Sequence, residues 1–334
     1  ALTPNGGKPS SAVNTKCSAA ARAFELTHTP DEQGGYGYQP MNILVLGRDG
    51  QLGQSLHDRL PSAYPSSVFW DRQTLDLEQL DDIEPRLTAA RPEVIINATA
   101  YTAVDQAETN TDLAFRINHH AVGRVADYCA KNDVPLLHVS TDYVFDGSSQ
   151  RPYAETDEPN PRGVYGASKL AGERAIAASG SRHVILRTAW VFSEHGQNFL
   201  KTMLRLGGER DTLSVVGDQI GCPTYAGDLA LGLISVLKSV ENGACEWGLY
   251  HYAGDPNVSW FEFAEAIFAK AASAGLAVPE HVTAITTEEY PTPAPRPAWS
   301  VLDSARFTKA FGEPASNWRT GIDTCLPALN QPSQ

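Results

Sequence analysis

From Met41 onward the chain alternates short apolar runs with helix-patterned segments, and this alternation limits the fold more than any other feature. Ile43–Leu46, Val68–Trp70, Val94–Asn97, 135–139 and 184–186 are strand-length runs rich in Val, Ile and Leu. Between them, residues 51–60, 78–90, 112–132 and 163–178 read as helices, with Pro61 expected to end the first and Pro92 to follow the second. Strands with no polar alternation are covered on both faces, which means a parallel sheet between helical layers. The expected fold class is therefore α/β, a Rossmann-type doubly wound parallel sheet, with ligands at the carboxyl ends of its strands.

Beyond about Arg187 the alternation loses its regularity. Helices are expected over 198–206, 225–239, 260–274 and 303–311, and the Pro-rich stretch 291–297 reads as a loop. Residues 41–187 are expected to form the nucleotide-binding domain. Residues 188–330 are expected to form mainly a smaller, interleaved C-terminal substrate domain, with some segments returning to the sheet.

The first strand runs directly into Gly47-Arg48-Asp49-Gly50-Gln51-Leu52-Gly53. Gly47 permits a tight turn, Gly50 lets the backbone approach a pyrophosphate, and Gly53 allows close packing of helix on strand. The free N–H groups and the dipole of the following helix favour an anion. The spacing is G-x-x-G-x-x-G, and its strand–turn–helix setting is the one a dinucleotide loop requires. The second strand ends at Asp71-Arg72, with Asp76-Leu77 just beyond in reach of an adenine. An acid there can bind a ribose 2′-hydroxyl and an Arg can accept a 2′-phosphate, so NADPH and NADH both stay open. Both residues could equally be solvated turn residues. Ala98-Thr99-Ala100, after the third strand, leave room for an extended cofactor.

Tyr165 and Lys169 stand four residues apart on one helix and share a face. An ammonium beside a phenol favours the phenolate, and such a tyrosine can deliver a proton to an alkoxide. The same spacing also occurs on ordinary helix surfaces. Thr141, at the carboxyl end of the fourth strand, offers a hydroxyl to a carbonyl oxygen. Glycine loop, hydroxyl and Tyr/Lys pair all converge on one rim.

Composition adds exclusions. With 334 residues, 42% hydrophobic and 19% charged, a buried core is assured and global disorder excluded. A net charge of −13 argues against a nucleic-acid or anionic-membrane surface, and no run nears the roughly 18 apolar residues of a membrane span. Five scattered cysteines, none in C-x-x-C spacing, fit a reducing cytoplasm and give no disulfide or metal framework. Residues 1–40 have balanced charge, no apolar period and no secretory-signal stretch. They are expected to be a mostly disordered extension, with Met41 marking the start of the folded protein.

The segments 41–53, 97–105 and 140–147, the pair Tyr165 and Lys169, residues 187–192 and 218–224, and Arg296-Pro297 resemble the extended short-chain dehydrogenase/reductase family. The likeness is greatest to its branch acting on dTDP-linked 4-keto-6-deoxy sugars, and it covers nearly everything from Met41 to about Leu329. The resemblance implies that Thr141, Tyr165 and Lys169 are the catalytic triad and that Thr102, Tyr143, Trp190 and Arg296 bind the dTDP-sugar. It implies reduction of the C4 ketone of dTDP-4-dehydro-6-deoxy-L-mannose, with NADPH expected and NADH open. Asn118 matches a supporting residue of the family, although a helix-surface amide would read the same. Dehydratases of the family show Asp-Glu after the catalytic Thr, whereas Asp142-Tyr143 stands here, which favours simple reduction. Some members bind Mg²⁺ through glutamates at a dimer interface. Those have no clear match here, so no metal is expected and a homodimer stays open. The alternatives are a regulatory subunit like the β subunit of methionine adenosyltransferase, or a reductase or epimerase of another nucleotide sugar.

Overall fold

The computed structural model describes residues 28–30, 36–38 and 41–330. Strands β1 (His28–Pro30) and β2 (Tyr36–Tyr38) pair antiparallel. The remainder of the expectation for residues 1–40 lies outside the described residues.

The first half of the described chain supplies β3 (Ile43–Leu46), β4 (Val68–Trp70), β5 (Val94–Asn97), β6 (Leu136–Thr141) and β7 (His183–Thr188). Strands β8 (Val191–Phe192), β9 (Thr212–Val216), β10 (Ile220–Gly221) and β11 (Thr224–Tyr225) follow, and then β12 (Gly248–His251) returns to the sheet. The sheet order is β4-β3-β5-β6-β7-β12, with every neighbouring pair parallel. The chain leaves β3 for the edge strand β4 and then recrosses to β5 on the other side. The two connections diverge there, which opens a crevice at the carboxyl rim.

The all-apolar strands are buried because both faces are covered. Ile43 and Val45 pack with Leu52, Leu56 and Leu60 of α1 (Gln51–Ala63), whereas Leu44 and Leu46 point to the opposite core. That second core is filled by α2 (Ile83–Ala90) and by the long helix below. Pro61 does not end α1. It sits in the last turn, and the His57 carbonyl it leaves without an N–H partner belongs to an exposed residue that water can reach. The expected helix 78–90 is split into a 3₁₀ turn, Leu80–Asp82, and α2.

A short helix α3 (Val104–Ala107) precedes α4 (Thr111–Phe115), a π-helical turn Arg116–Ala121 and α5 (Val122–Asn132). The one helix expected over 112–132 therefore carries a widened turn, a deviation that accompanies functional sites. After α6 (Val164–Ser179), the C-terminal half builds its own core from α7 (Phe199–Glu209), the parallel pair β9–β14 (His281–Ile285), β13 (Val258–Ser259) and the helix that follows β13. Helix α8 (Ala226–Glu241) packs instead on α1, against the sheet, and α9 is Trp260–Ser273. Two helices close the chain, α10 (Ala305–Phe311) and α11 (Trp318–Leu329). The sequence reading missed α11, whose Trp318, Ile322 and Cys325 face the third core.

Candidate active site

A cleft of about 850 Å³ lies along the carboxyl rim, between the glycine loop and the start of α9. Gly47 takes φ +95, and a side chain there would press on Ala98 and Thr99. A Cβ on Gly53 would stand 2.0 Å from the Gly47 carbonyl, so loop and helix close on each other only without one. Gly50 differs, because a Cβ there would meet only the Gly47 oxygen at 3.5 Å. No protein atom demands glycine at that point, and Gly50, Gln51 and Leu52 line the cleft itself. Gly50 caps α1 with no side-chain hydrogen bond, so the first N–H groups of the helix lack a side-chain acceptor.

At the β4 end the cleft is lined by Asp71, Arg72, Asp76 and Leu77. The Asp71 carboxylate accepts from the Thr74 N–H and hydroxyl, each at 2.8 Å, and those bonds lower its pKa. The exposed Arg72 pairs with Glu78 and lies 3.5 Å from Asp76. Ala98, Thr99 and Ala100 form the floor, with Thr99 tied to the Asn97 amide oxygen.

The other end is dry. Thr141, Tyr165 and Lys169 all line the cleft and are all buried. The Thr141 hydroxyl donates to Asp142 Oδ1 at 2.9 Å and accepts from the Tyr143 N–H at 3.2 Å. Burial pushes the Tyr165 phenol up to about 12, opposed by a hydrogen bond with Thr141. Lys169 makes no hydrogen bond to that phenol among the described residues: its Nζ donates to the Val139 carbonyl at 2.7 Å and lies 3.3 Å from His138 Nε2. Burial draws Lys169 down to about 8, opposed by Glu173. Asp142 is raised to about 6, again by burial.

Asn118 is no surface amide. Seated in the π turn and 1% exposed, it accepts from the Tyr101 N–H at 2.8 Å and donates to the Tyr101 carbonyl and to Ser168 Oγ at 3.1 and 3.0 Å. It thereby ties the loop after β5 to the helix that carries Tyr165.

The wall facing Thr141 comes from distant segments. Thr102 and Tyr143 line it, and the Tyr143 ring stands edge-on to Tyr165 at 5.5 Å. Trp190 lies in the left-handed region at φ +45, a costly conformation for a bulky residue and one that clusters at ligand sites. Its indole stacks on Trp260 at 3.4 Å and 7°. Gly221 makes room for it, because a Cβ there would reach Trp190 Cε2 at 2.4 Å. Trp260 also lines the cleft and was missed by the sequence reading. Seventy residues separate the two indoles, and no local pattern marks the second. Arg296 does not line the cleft, as its guanidinium is held by Asp105 at 2.8 Å and by the Ala294 carbonyl. Among the described residues, Asp58, Glu194 and His195 bring potential ligand atoms within 4.8 Å of one another, away from the cleft lining. Each has a partner already: His195 Nε2 meets Asp58 at 2.8 Å, and Glu194 accepts from Tyr225.

A family model described as the RmlD substrate binding domain matches residues 41–331. The chain belongs to the RmlD family. Among its relatives, the dTDP-4-dehydrorhamnose reductase of Aggregatibacter actinomycetemcomitans is 44% identical over 283 residues, covering 84% of this chain and 96% of that protein. The crystal structure of dTDP-4-dehydrorhamnose reductase from Bacillus anthracis, in complex with NADP, superposes with a TM-score of 0.78 at 35% identity. It covers 86% of this chain and 99% of that one. An orthologue from Clostridium acetobutylicum gives 0.80 at 36% identity, covering 87% of this chain and 100% of that one. The RmlD likeness therefore spans both the glycine loop and the Trp190–Trp260 wall. No helix among the described residues is long and apolar enough to cross a membrane.

Proposed function

We propose that this chain reduces the C4 ketone of dTDP-4-dehydro-6-deoxy-L-mannose to dTDP-L-rhamnose, with NADPH as reductant and NADH as a second choice. The observation that carries this reading is the meeting of the glycine loop with buried Thr141, Tyr165 and Lys169 in one cleft, in a chain 44% identical to a reductase of that name. The cleft suits a nicotinamide dinucleotide: the uncapped N–H groups of α1 point to where a pyrophosphate would lie, and Gly50 leaves its backbone open to it. Gly47, Gly50, Gln51 and Leu52 would hold the pyrophosphate, and Gly53, which does not line the cleft, would serve it by letting the helix close on the loop. Asp71, Arg72, Asp76 and Leu77 would hold the adenosine, and Ala98, Thr99 and Ala100 the middle. When bound, the cofactor supplies a hydride.

The proton is this chain's task. Burial keeps the Tyr165 phenol neutral at pH 7, the form that can donate to O4 as charge develops there. Thr141 offers its hydroxyl to the same oxygen, and Lys169 supplies the nearby ammonium. Thr102, Tyr143 and Trp190 would enclose the sugar, while Arg296, held by Asp105, stands outside the cleft lining. No metal enters this scheme. The reading assigns the enzyme to the cytoplasm, with a small-molecule substrate, no nucleic-acid or membrane partner, and a homodimer as a state to be tested by ultracentrifugation.

The test is loss of NADPH absorbance with the dTDP-ketosugar generated in situ, and turnover dependent on the sugar is expected. A folded protein that binds NADPH yet turns nothing over would overturn the reading in favour of a regulatory subunit. Turnover with a different nucleotide sugar only would correct the substrate.

A further inference from the structure

Lys169 is a cationic side chain, 1% exposed, with no carboxylate within ion-pair distance among the described residues. Its direct partners are neutral: the Val139 carbonyl at 2.7 Å and the His138 ring at 3.3 Å. Burial keeps that imidazole uncharged, with Lys169 as the second cause. A lone buried ammonium is costly, so some charge must offset it. The carboxylate placed to do so is Glu173, one turn further along α6, so that Tyr165, Lys169 and Glu173 form a ladder at four-residue spacing.

Glu173 is itself fixed. Arg187, 2% exposed on β7, reaches it through Nε at 2.9 Å and Nη2 at 2.6 Å, and Ser140 donates its hydroxyl to the same carboxylate. Arg187 in turn lies over the Phe145 ring at 5.0 Å, and its Nη1 has no hydrogen-bond partner among the described residues. The last four residues of β6 thus serve all three rungs. His138 and Val139 seat Lys169, Ser140 holds Glu173, and Thr141 faces Tyr165. The ionisable groups around the ladder are His138 from β6, Asp142 and Tyr143 from the turn that follows it, and Arg187 from β7, and the charge that opposes the effect of burial on Lys169 is Glu173.

We propose that Glu173, clamped by Arg187 and Ser140, is a positioning residue that keeps Lys169 charged in the dry floor of the cleft and so sets the alkaline limit of turnover. The inference rests on the reductase reading. With Glu173 neutral, burial acts on Lys169 unopposed, and the ammonium is lost at lower pH.

The experiment uses the full chain, comparing wild type with Glu173→Gln and with the double variant Glu173→Gln/Arg187→Gln. Replacing both members of a buried pair avoids stranding the guanidinium, so the double variant keeps the readout available should the single one fail to fold. The alkaline limb of kcat is expected to move down by on the order of one pH unit in Glu173→Gln, with Glu173→Asp restoring it, and by less in the double variant, where loss of the Arg187 charge offsets part of the shift. A second readout needs no turnover: the melting-temperature deficit of the folded variant should shrink from about pH 6 to about pH 9, as Lys169 sheds the proton that the folded state tolerates poorly. An unmoved limb together with a pH-independent deficit would overturn the proposal and leave the pair a structural tie. A wild-type enzyme with no turnover would instead sink the reductase reading.

Discussion

The two ends of the cleft use the same side chain in opposite ways. At the β4 end, Asp71 is solvated, and two hydrogen bonds from Thr74 hold its carboxylate below the usual range. At the β6 end, Asp142 is 2% exposed, and burial raises it to about 6 although Thr141 donates to it. Arg72 at the wet end is exposed and paired, whereas Lys169 at the dry end is buried with neutral partners. On the proposed reading the wet end recognises the cofactor, where charges cost little and contribute little singly. On the same reading the dry end moves a proton, and burial there raises the Tyr165 phenol so that it yields its proton only to a strongly basic acceptor.

Four changes would break or sharpen this contrast. The largest effect is expected at the dry end: Tyr165→Phe should fold and bind NADPH while kcat falls by roughly 10²–10⁴-fold, the usual worth of a placed general acid. Steady-state and cofactor-binding measurements check it, and near-wild-type kcat would remove Tyr165 from the proton's path. Next comes Asp142→Asn. A carboxyl raised from 3.8 to about 6 in the folded state contributes stability below its unfolded value and loses it as pH rises through its folded value. The asparagine variant should therefore gain on wild type between about pH 4 and about pH 7, by on the order of 3 kcal/mol at 1.36 kcal/mol per unit, read by urea melts across pH. A gain that does not vary with pH would show that Asp142 is not the titrating group.

Gly221→Ala probes the wall between the two ends. The added methyl would stand 2.4 Å from Trp190 Cε2, which forces the indole off Trp260. KM for the sugar nucleotide should rise by roughly tenfold, in line with the cost of overpacking, with a smaller change in kcat. The smallest effect belongs to the wet end. Arg72→Ala should raise KM for NADPH by about threefold and leave KM for NADH unchanged, as suits an exposed charge that contributes well under a dinucleotide's whole affinity. Equal changes for both cofactors would mean that Arg72 reads no 2′-phosphate.

What could be read in the sequence follows the same division. The glycine loop is a contiguous motif in which Gly47 and Gly53 answer backbone geometry, and its neighbours along the chain are its neighbours in space. Tyr165 and Lys169 were visible because helical spacing alone puts them on one face. The Trp190–Trp260 stack was half visible, since Trp190 follows a strand while Trp260 meets it only after α9 is docked. Asn118 reads as a surface amide until the π turn and the loop after β5 bury it. Arg187 and Glu173 are fourteen residues apart on different elements, and nothing in that spacing announces an ion pair.

By itself the sequence determined the parallel α/β sheet, the position of the glycine turn and the residues capable of acid–base work, because each depends on local periodicity or local backbone geometry. The tertiary structure decided how those residues ionise. Desolvation depends on everything packed around a group, so only the folded chain makes Asp142 a weaker acid, lifts the Tyr165 phenol and draws the Lys169 ammonium down.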